Sequence, residues 1–206
     1  MPNFIAIKIH YDHRQSLQRH LKYSKLPTAD EYNEYLELYN DGVGGQGFHE
    51  CLNFAISDGV VKMYLPPTCL PAQERLDDEF VIFSFTYKGD REMPARIVGV
   101  HAGAKILNRD GVSRTEIEAV DGIDEPFSYH AESPENLATL FTPPIDYDFK
   151  VGIHTPRYKN WGNGLRNIEE DHARNIILNA FNLETVKVFK TSGILEKKNT
   201  EKLEKC

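Results

Sequence analysis

The sequence predicts an α+β domain built on a small, strongly curved β-barrel, with flanking helices and a helical insertion near the N-terminus. Three observations lead to this prediction. The chain of 206 residues suits a single domain. Residues 52–108 contain several short apolar stretches broken by glycines, as in curved sheets. Amphipathic helical patterns precede and follow them. We expect one domain over residues 1–190 and a tail or truncated linker over residues 191–206.

The N-terminal part opens with a strand and continues with the helical insertion, at about residues 14–41. Apolar and polar residues alternate in Phe4–Tyr11, which is typical of a half-buried strand. A first helix ends before Pro27, because the proline ring disfavours helix in the residue preceding it. Thr28 and Glu31 then have the spacing of a capping box, which predicts the start of a second helix.

The central part predicts the curved sheet. A hairpin is expected over residues 52–65, since Asp58-Gly59 supplies the positive φ of a tight turn. The most apolar strand is Glu79–Tyr87, and Ala95–Asn108 returns beside it as a long strand. Bends or bulges are expected in the long strand at Gly99 and Gly103.

The C-terminal part mixes helix and strand signals. Ser133 followed by Pro134 predicts a helix start, with serine as the N-cap. Ile145–His154 is expected to be a strand. A long amphipathic helix is expected over Asn167–Phe181, followed by a last strand at Thr185–Lys190.

The charge of the chain is unevenly distributed. The formal net charge of −7 argues against a protein whose whole surface binds nucleic acid. Two stretches are nevertheless basic: residues 1–25 hold five Lys or Arg against one Asp, and residues 149–166 hold four and no acid. These stretches either form one positive face or are two separate solvated faces. No apolar run reaches the roughly 20 residues that span a bilayer. We expect a cytoplasmic protein without a membrane partner.

No cofactor and no metal are expected. The three cysteines lack zinc or disulfide spacing and are expected to be free thiols. The glycines of residues 42–47 do not have the spacing of a phosphate-binding loop. His13 and His20 would lie about 10 Å apart on a helix, which is too far for one zinc ion.

The order of elements resembles the PUA-like group of domains, which includes EVE, YTH and SRA-type modules. The residues that carry this resemblance are Phe80–Tyr87, the Ile97–Val100 strand and the basic segment Arg157–Leu178. It implies a small barrel that reads nucleic acid, often by taking a modified base into an aromatic pocket. It also implies a targeting module of a restriction system, with DNA or RNA as ligand and a nuclease or NTPase as partner or fused domain.

The candidate binding residues follow from the chemistry of such a site. A base removed from the stack needs flat side chains, and its flanking phosphates need Arg or Lys. Candidates for stacking are Trp161 and Tyr158, and candidates for phosphate contact are Arg14, Arg157, Lys159 and Arg166. Phe48, His49, Asn53, Ser57 and Asp58 are candidates for the base pocket. Core packing of Trp161 and simple turn formation at residues 57–58 remain open alternatives.

Two other functions also remain open. Asp148-Phe149-Lys150 has the DxK form of a magnesium-dependent nuclease, with Asp121 or Asp124 as a second ligand and Glu135 as a helical partner. The tyrosine-rich helix at residues 28–41 alternatively indicates a protein-interaction domain, because tyrosine is favoured at interfaces. A non-catalytic reader is the interpretation that we carry forward.

Overall fold

The computed structural model describes residues 3–9, 50, 52–54, 56–86, 95–115, 127–147, 149–157, 159, 161 and 164–191. The predicted helical insertion at residues 14–41 lies outside these residues, as does the predicted tail apart from Thr191. Within the described part, one α-helix accompanies ten strands and three short 3-10 helices.

The strands are β1 Asn3–Lys8, β2 Ile56–Ser57, β3 Val60–Met63, β4 Glu79–Thr86, β5 Ala95–Ile106, β6 Val112–Ser113, β7 Ser128–Tyr129, β8 Ala131–Pro134, β9 Ala138–Tyr147 and β10 Arg166–Asn167. The α-helix, α1, is Glu170–Thr191. The 3-10 helices are Pro67–Cys69, Gln73–Arg75 and Glu135–Leu137.

Eight of the strands form one mixed sheet in the order β10-β1-β4-β5-β8-β3-β2, with β9 also paired to β5. Strands β1 and β4 are parallel, and the other pairs of this sheet are antiparallel. Strands β6 and β7 form a separate pair. The first strand of the chain therefore lies inside the sheet, between β4 and β10.

The predicted barrel with several helices is wrong. The described sheet is open, ending at β10 on one side and β2 on the other, and it carries the single helix α1. The prediction failed because β4 is buried on both faces of the sheet. Six of the eight residues of β4 are buried, and Phe80, Ile82 and Phe83 are fully buried. A strand covered on both faces has the same composition in a layered sheet as in a barrel wall.

The bend predicted in the long strand is confirmed at Gly103. Residues 95–101 of β5 pair with β9, whereas Lys105 and Ile106 pair with β8. Gly103 lies between these two sets of pairs with φ +63°, a backbone conformation that glycine adopts without a steric penalty. The strand can therefore change partners without ending.

Two apolar clusters pack on the two faces of the sheet. The hairpin-side core consists of Ile5, Ile7, Ile9, Phe54, Met63, Leu65, Cys69, Phe80, Ile82, Val98, Ala104, Ile106 and Ala131. The helix-side core consists of Ala6, Phe83, Phe85, Ile97, Val100, Phe141, Ile145, Tyr147, Trp161, Ile168, Ala173 and Ile176. Residues of β1 alternate between the two clusters, as the period of two in a strand requires. Helix α1 covers one face through Ala173 and Ile176.

The predicted hairpin is confirmed, and several C-terminal predictions are wrong. Asp58 and Gly59 both have positive φ in the β2–β3 turn. Ser133 does not cap a helix, because it lies in β8 and its hydroxyl donates to the Ala102 carbonyl at 2.6 Å. The strand predicted from Ile145 is the end of β9, which stops at Tyr147. Residues 185–190, predicted as a strand, continue α1.

Replacing Gly99 by alanine should strongly destabilise the fold. A Cβ atom there would lie 2.5 Å from the Phe54 ring and 2.6 Å from the Thr139 carbonyl oxygen. One of these neighbours is backbone, so we expect a loss of about 3 kcal/mol in the free energy of unfolding. Gly59→Ala is the control, since open space surrounds that position and only its φ of +78° is unfavourable. Urea denaturation measures both losses, and a larger loss for Gly59→Ala would contradict the packing at Gly99.

Candidate functional site

Trp161 lies in the helix-side core with 3% of its surface exposed. Its ring stacks on Tyr147 at a centroid distance of 4.4 Å and an angle of 20°, and lies 5.1 Å from the Phe85 ring. Its backbone N–H donates to the Tyr147 hydroxyl at 3.1 Å. Stacking on a base would require this ring to leave the core. We therefore assign Trp161 to anchoring the neighbouring loop rather than to ligand contact.

The loop that Trp161 anchors presents three exposed basic residues, Lys150, Arg157 and Lys159, which we call the basic turn. The Arg157 Nε donates to the Lys150 carbonyl at 3.1 Å. Gly152, with φ +79°, lies against Arg157, where a Cβ atom would be 3.2 Å from the Arg157 Cβ. These contacts hold Lys150 and Arg157 next to each other.

The backbone of Lys159 is fixed by hydrogen bonds from buried side chains. Its carbonyl accepts from the Thr155 hydroxyl at 2.9 Å and from the Tyr147 hydroxyl at 3.4 Å. Its N–H donates to the Pro156 carbonyl at 2.9 Å. The side chain of Lys159 remains exposed. The basic turn is therefore a cationic loop with a supported backbone.

The other predicted phosphate-binding residues lie elsewhere. Arg166 is exposed in β10 and pairs with Ala6 of β1. The guanidinium of Arg75 donates to the side chain of the next residue, Asn167, at 3.2 Å. Arg166 thus belongs to the β10 edge of the sheet, and in the described part of the chain no hydrogen bond or ion pair joins it to the basic turn. Arg14, Tyr158, Phe48 and His49 lie outside the described residues.

The predicted base pocket around Asn53 has a structural role. Asn53 is fully buried, and its amide donates to the Tyr64 carbonyl at 3.0 Å and accepts from the Tyr64 N–H at 2.7 Å. The side chain therefore pairs with the backbone as a neighbouring strand would. Ser57 and Asp58 lie in the β2–β3 hairpin, at the opposite end of the sheet from β10.

His101 fixes the Asn53 segment to β5. Its Nε2 lies 2.5 Å from the Asn53 carbonyl, and its ring centroid is 4.4 Å from that of Phe54. Complete burial lowers the pKa of His101 from 6.5 to about 4, although the hydrogen bond to Asn53 opposes this shift. The ring is therefore neutral at pH 7 and donates its Nε2 proton to the carbonyl.

A cavity of about 400 Å³ opens beside the basic turn. It lies between the end of β9, residues 151–154 of the loop and the middle of α1. The apolar residues that line it are Ile145, Val151, Ile153 and Leu183, and the polar ones are Asp146, His154, Asn179 and Asn182. A largely apolar cavity with a few polar groups is the usual form of a small-ligand site.

His154 and Asn179 form the buried polar contact of this cavity. The Asn179 Nδ2 lies 2.8 Å from the His154 Nε2. Either the amide nitrogen donates to Nε2 of a ring protonated on Nδ1, or, with the amide reversed, a protonated Nε2 donates to the amide oxygen. Burial, followed by the nearby charge of His172, lowers the pKa of His154, which favours the neutral ring. Its Nδ1 is buried without a hydrogen-bond partner in the described part of the chain.

The wall of the cavity is attached to α1 at one carbonyl. The Ile153 carbonyl accepts from the His172 Nδ1 at 3.0 Å and from the Asn175 Nδ2 at 3.2 Å. The cavity and its polar pair were missed from the sequence. A signal was present in the spacing of Asn175, Asn179 and Asn182, which places three amides along one stripe of the helix.

The nuclease alternative gains no structural support. Lys150 lies in a turn beyond β9 rather than on a strand, and Glu135 begins a 3-10 helix of three residues. Asp121, Asp124 and Asp148 lie outside the described residues. Across the described ranges, no group of three or more His, Cys, Asp or Glu could hold a metal ion.

Comparisons with known proteins identify no relative. No family model matches the chain, and neither a curated protein nor a solved structure gives a significant match. Among the helices of the described residues, none is long and apolar enough to cross a membrane.

Trp161→Ala should lower the free energy of unfolding by about 3–5 kcal/mol, because it removes a buried aromatic ring from the helix-side core. Lys159→Ala should change the free energy of unfolding by less than about 0.5 kcal/mol, since only the backbone of Lys159 makes the structural hydrogen bonds. Urea denaturation followed by circular dichroism measures both. Equal stability of Trp161→Ala and the wild type would contradict the anchoring role.

The neutral form of His101 should make stability depend on pH. The unfolded chain binds a proton at His101 near pH 6.5, whereas the folded protein binds it only near pH 4. The stabilising effect is complete above pH 6.5 and is lost as the pH falls toward 4, amounting to roughly 3 kcal/mol. His101→Gln retains an N–H donor but does not titrate. In urea denaturation between pH 4 and 7, the free energy of unfolding of His101→Gln should depend less on pH than that of the wild type. The same pH dependence in both proteins would contradict a neutral, buried His101.

Proposed function

We propose that this chain is a nucleic-acid-binding domain that holds phosphate on the basic turn and takes one base into the adjoining cavity. The observation that carries the proposal is that one segment, residues 150–159, supplies both features. Lys150, Arg157 and Lys159 are its exposed cations, and Val151, Ile153 and His154 line the cavity. A ligand that combines negative charge with a flat, weakly polar group suits this arrangement.

The cations account for attraction and position. Lys and Arg contacts to phosphate supply most of the sequence-independent affinity for nucleic acid, and that affinity falls as salt increases. The net charge of the whole chain is −7, so a local cluster of cations such as the basic turn would direct a polyanion to part of the surface rather than to all of it. The hydrogen bonds at the Lys159 carbonyl keep the turn in position before a ligand arrives.

The cavity accounts for base recognition. An extruded base is held between apolar or aromatic groups and is recognised by hydrogen bonds at its edge. Ile145, Val151, Ile153 and Leu183 provide the apolar surface, while the amides of Asn179 and Asn182 provide hydrogen-bonding groups. The cavity volume of about 400 Å³ is within the range of small-ligand sites and leaves room for a base with an added group. DNA with a modified base is the ligand class that we propose, with a nuclease or NTPase as partner or fused domain and any cleavage supplied by the nuclease.

Alanine substitutions in the basic turn should weaken binding to DNA and reduce its dependence on salt. The substitutions are Lys150→Ala, Arg157→Ala and Lys159→Ala. For each one that removes a phosphate contact, the slope of log affinity against log salt should become shallower by about 1. Fluorescence anisotropy with labelled duplexes, unmodified, cytosine-methylated, hydroxymethylated and adenine-methylated, measures affinity and preference. Lys105→Ala is the control. Lys105 is also an exposed cation, but it lies in the part of β5 that pairs with β8 and not in the part that pairs with β9, which leads into the basic turn.

The cavity is tested in the same titrations by Val151→Trp, which places a large ring at an exposed position of the lining. Preference for a modified base should disappear while salt-dependent binding remains. A 2-aminopurine at the target position reports extrusion, because its fluorescence rises when it is unstacked. Absence of binding at low salt, or an equal loss with Lys105→Ala, would refute the proposed function.

A further inference from the structure

The outward side of α1 carries a patch of exposed apolar side chains. Nine large apolar residues are exposed in the described part of the chain, and three of them, Ile177, Leu178 and Phe181, lie close together on this helix. Their exposed fractions are 43%, 50% and 66%. The sheet side of α1 is formed by Ala173 and Ile176, which are buried in the helix-side core. A helix that is apolar on more than one side normally packs against more than one surface.

Ile177 and Phe181 belong to a stripe with the spacing of a coiled coil. Arg174, Ile177, Phe181 and Glu184 lie three, four and three positions apart, which are the intervals between positions a and d of a heptad. All four side chains are exposed. Leu178 follows Ile177 and borders the stripe at position e. We call these five residues the outer seam.

The outer seam is complementary to itself when two copies of α1 run antiparallel. Its members are arranged symmetrically about position 179, with Ile177 and Phe181 two positions away and Arg174 and Glu184 five positions away. In an antiparallel pair, Ile177 of one copy therefore lies opposite Phe181 of the other, and Arg174 lies opposite Glu184. Each contact occurs twice, because a two-fold interface uses the same surface of both copies. A parallel pair would instead place equal charges opposite each other.

The guanidinium of Arg174 is positioned for such a contact. Its Nη2 donates to the Glu170 carboxylate at 3.1 Å, one helical turn earlier, and both side chains are more than half exposed. A guanidinium has five N–H donors, so this ion pair leaves donors for a second carboxylate. Exposed ion pairs contribute little to affinity, but complementary charges determine which orientation of two surfaces forms.

We propose that the outer seam is the interface of a homodimer in which α1 packs antiparallel to α1 of a second copy. The three apolar residues of the seam supply the attraction, and Arg174 with Glu184 fixes the orientation. One helix side per copy makes a small interface, of less than about 1,200 Å² in total, so the dimer exchanges reversibly with the monomer. Asn179 lies at position f, on the side of α1 opposite the seam, so the cavities of both copies face away from the interface.

The test is the oligomeric state of the full chain without any ligand, and its result is therefore independent of the proposed function. Sedimentation velocity should show the monomer converting to a dimer over about a 100-fold range of protein concentration that ends at about 1 mM, the limit of weak affinities. A chain that stays monomeric over this whole range would overturn the inference.

Charge reversal distinguishes the outer seam from any other interface. Arg174→Glu and Glu184→Arg should each weaken self-association by about 10-fold or more, because each places equal charges opposite each other twice. An equimolar mixture of the two variants should associate as tightly as the wild type, since both contacts then join opposite charges. Lys105→Glu reverses an exposed cation on β5 and is the matched control, which should leave self-association unchanged.

A variant without a change of charge keeps the inference testable if either reversal disturbs the fold, which circular dichroism shows. Phe181→Ser removes apolar area at the centre of the seam and should also weaken self-association by about 10-fold. Wild-type association in Phe181→Ser would refute the outer seam as the interface. Folded reversal variants whose mixture remains monomeric would refute it as well.

Discussion

The contact between Tyr147 and Trp161 is the interaction on which the candidate site depends. Tyr147 is the last residue of β9, so its position is set by the pairing of β9 with β5. Its hydroxyl accepts from the Trp161 N–H and donates to the Lys159 carbonyl, and its ring stacks on the indole. A single side chain of the sheet thus fixes a long loop at two points. Because buried aromatic pairs combine area with directed hydrogen bonds, these contacts hold Lys159 and Trp161 in place.

The sequence was informative about strands and less so about their arrangement. Alternating apolar residues and the Asp58-Gly59 turn predicted β1, the hairpin, β4 and β5, and all four are present. The barrel prediction failed because the composition of a strand that is apolar on both faces does not indicate which strands pair with it. The parallel pairing of β1 with β4 joins residues 77 positions apart, such as Asn3 and Phe80. Local propensity also failed at residues 185–190, where no glycine or proline interrupts the helix before Thr191.

For the site, composition indicated the basic loop but not the directions of its side chains. Cations flank Trp161 in the sequence, yet the indole is buried while Lys159 is exposed two residues away. In an irregular loop the sequence does not determine which side chains point inward, because no fixed period applies. The cavity could not be predicted, since Ile145, His154 and Asn179 meet only after β9, the loop and α1 have packed. Roles for Arg14, Tyr158, Phe48 and His49 stay predictions.

The position of β1 has a consequence for how the chain acquires its structure. Both neighbours of β1 are distant in sequence: β4 begins at Glu79 and β10 at Arg166. Among the described strands β1 comes first along the chain, yet both of its hydrogen-bonding edges can be occupied only after β10 has been synthesised. Closing such long loops early is entropically unfavourable, so folding should be slow relative to helical domains of this size. Until α1 and β10 are synthesised, the apolar strand β1 has an open edge, and a nascent chain would need protection from pairing with other chains.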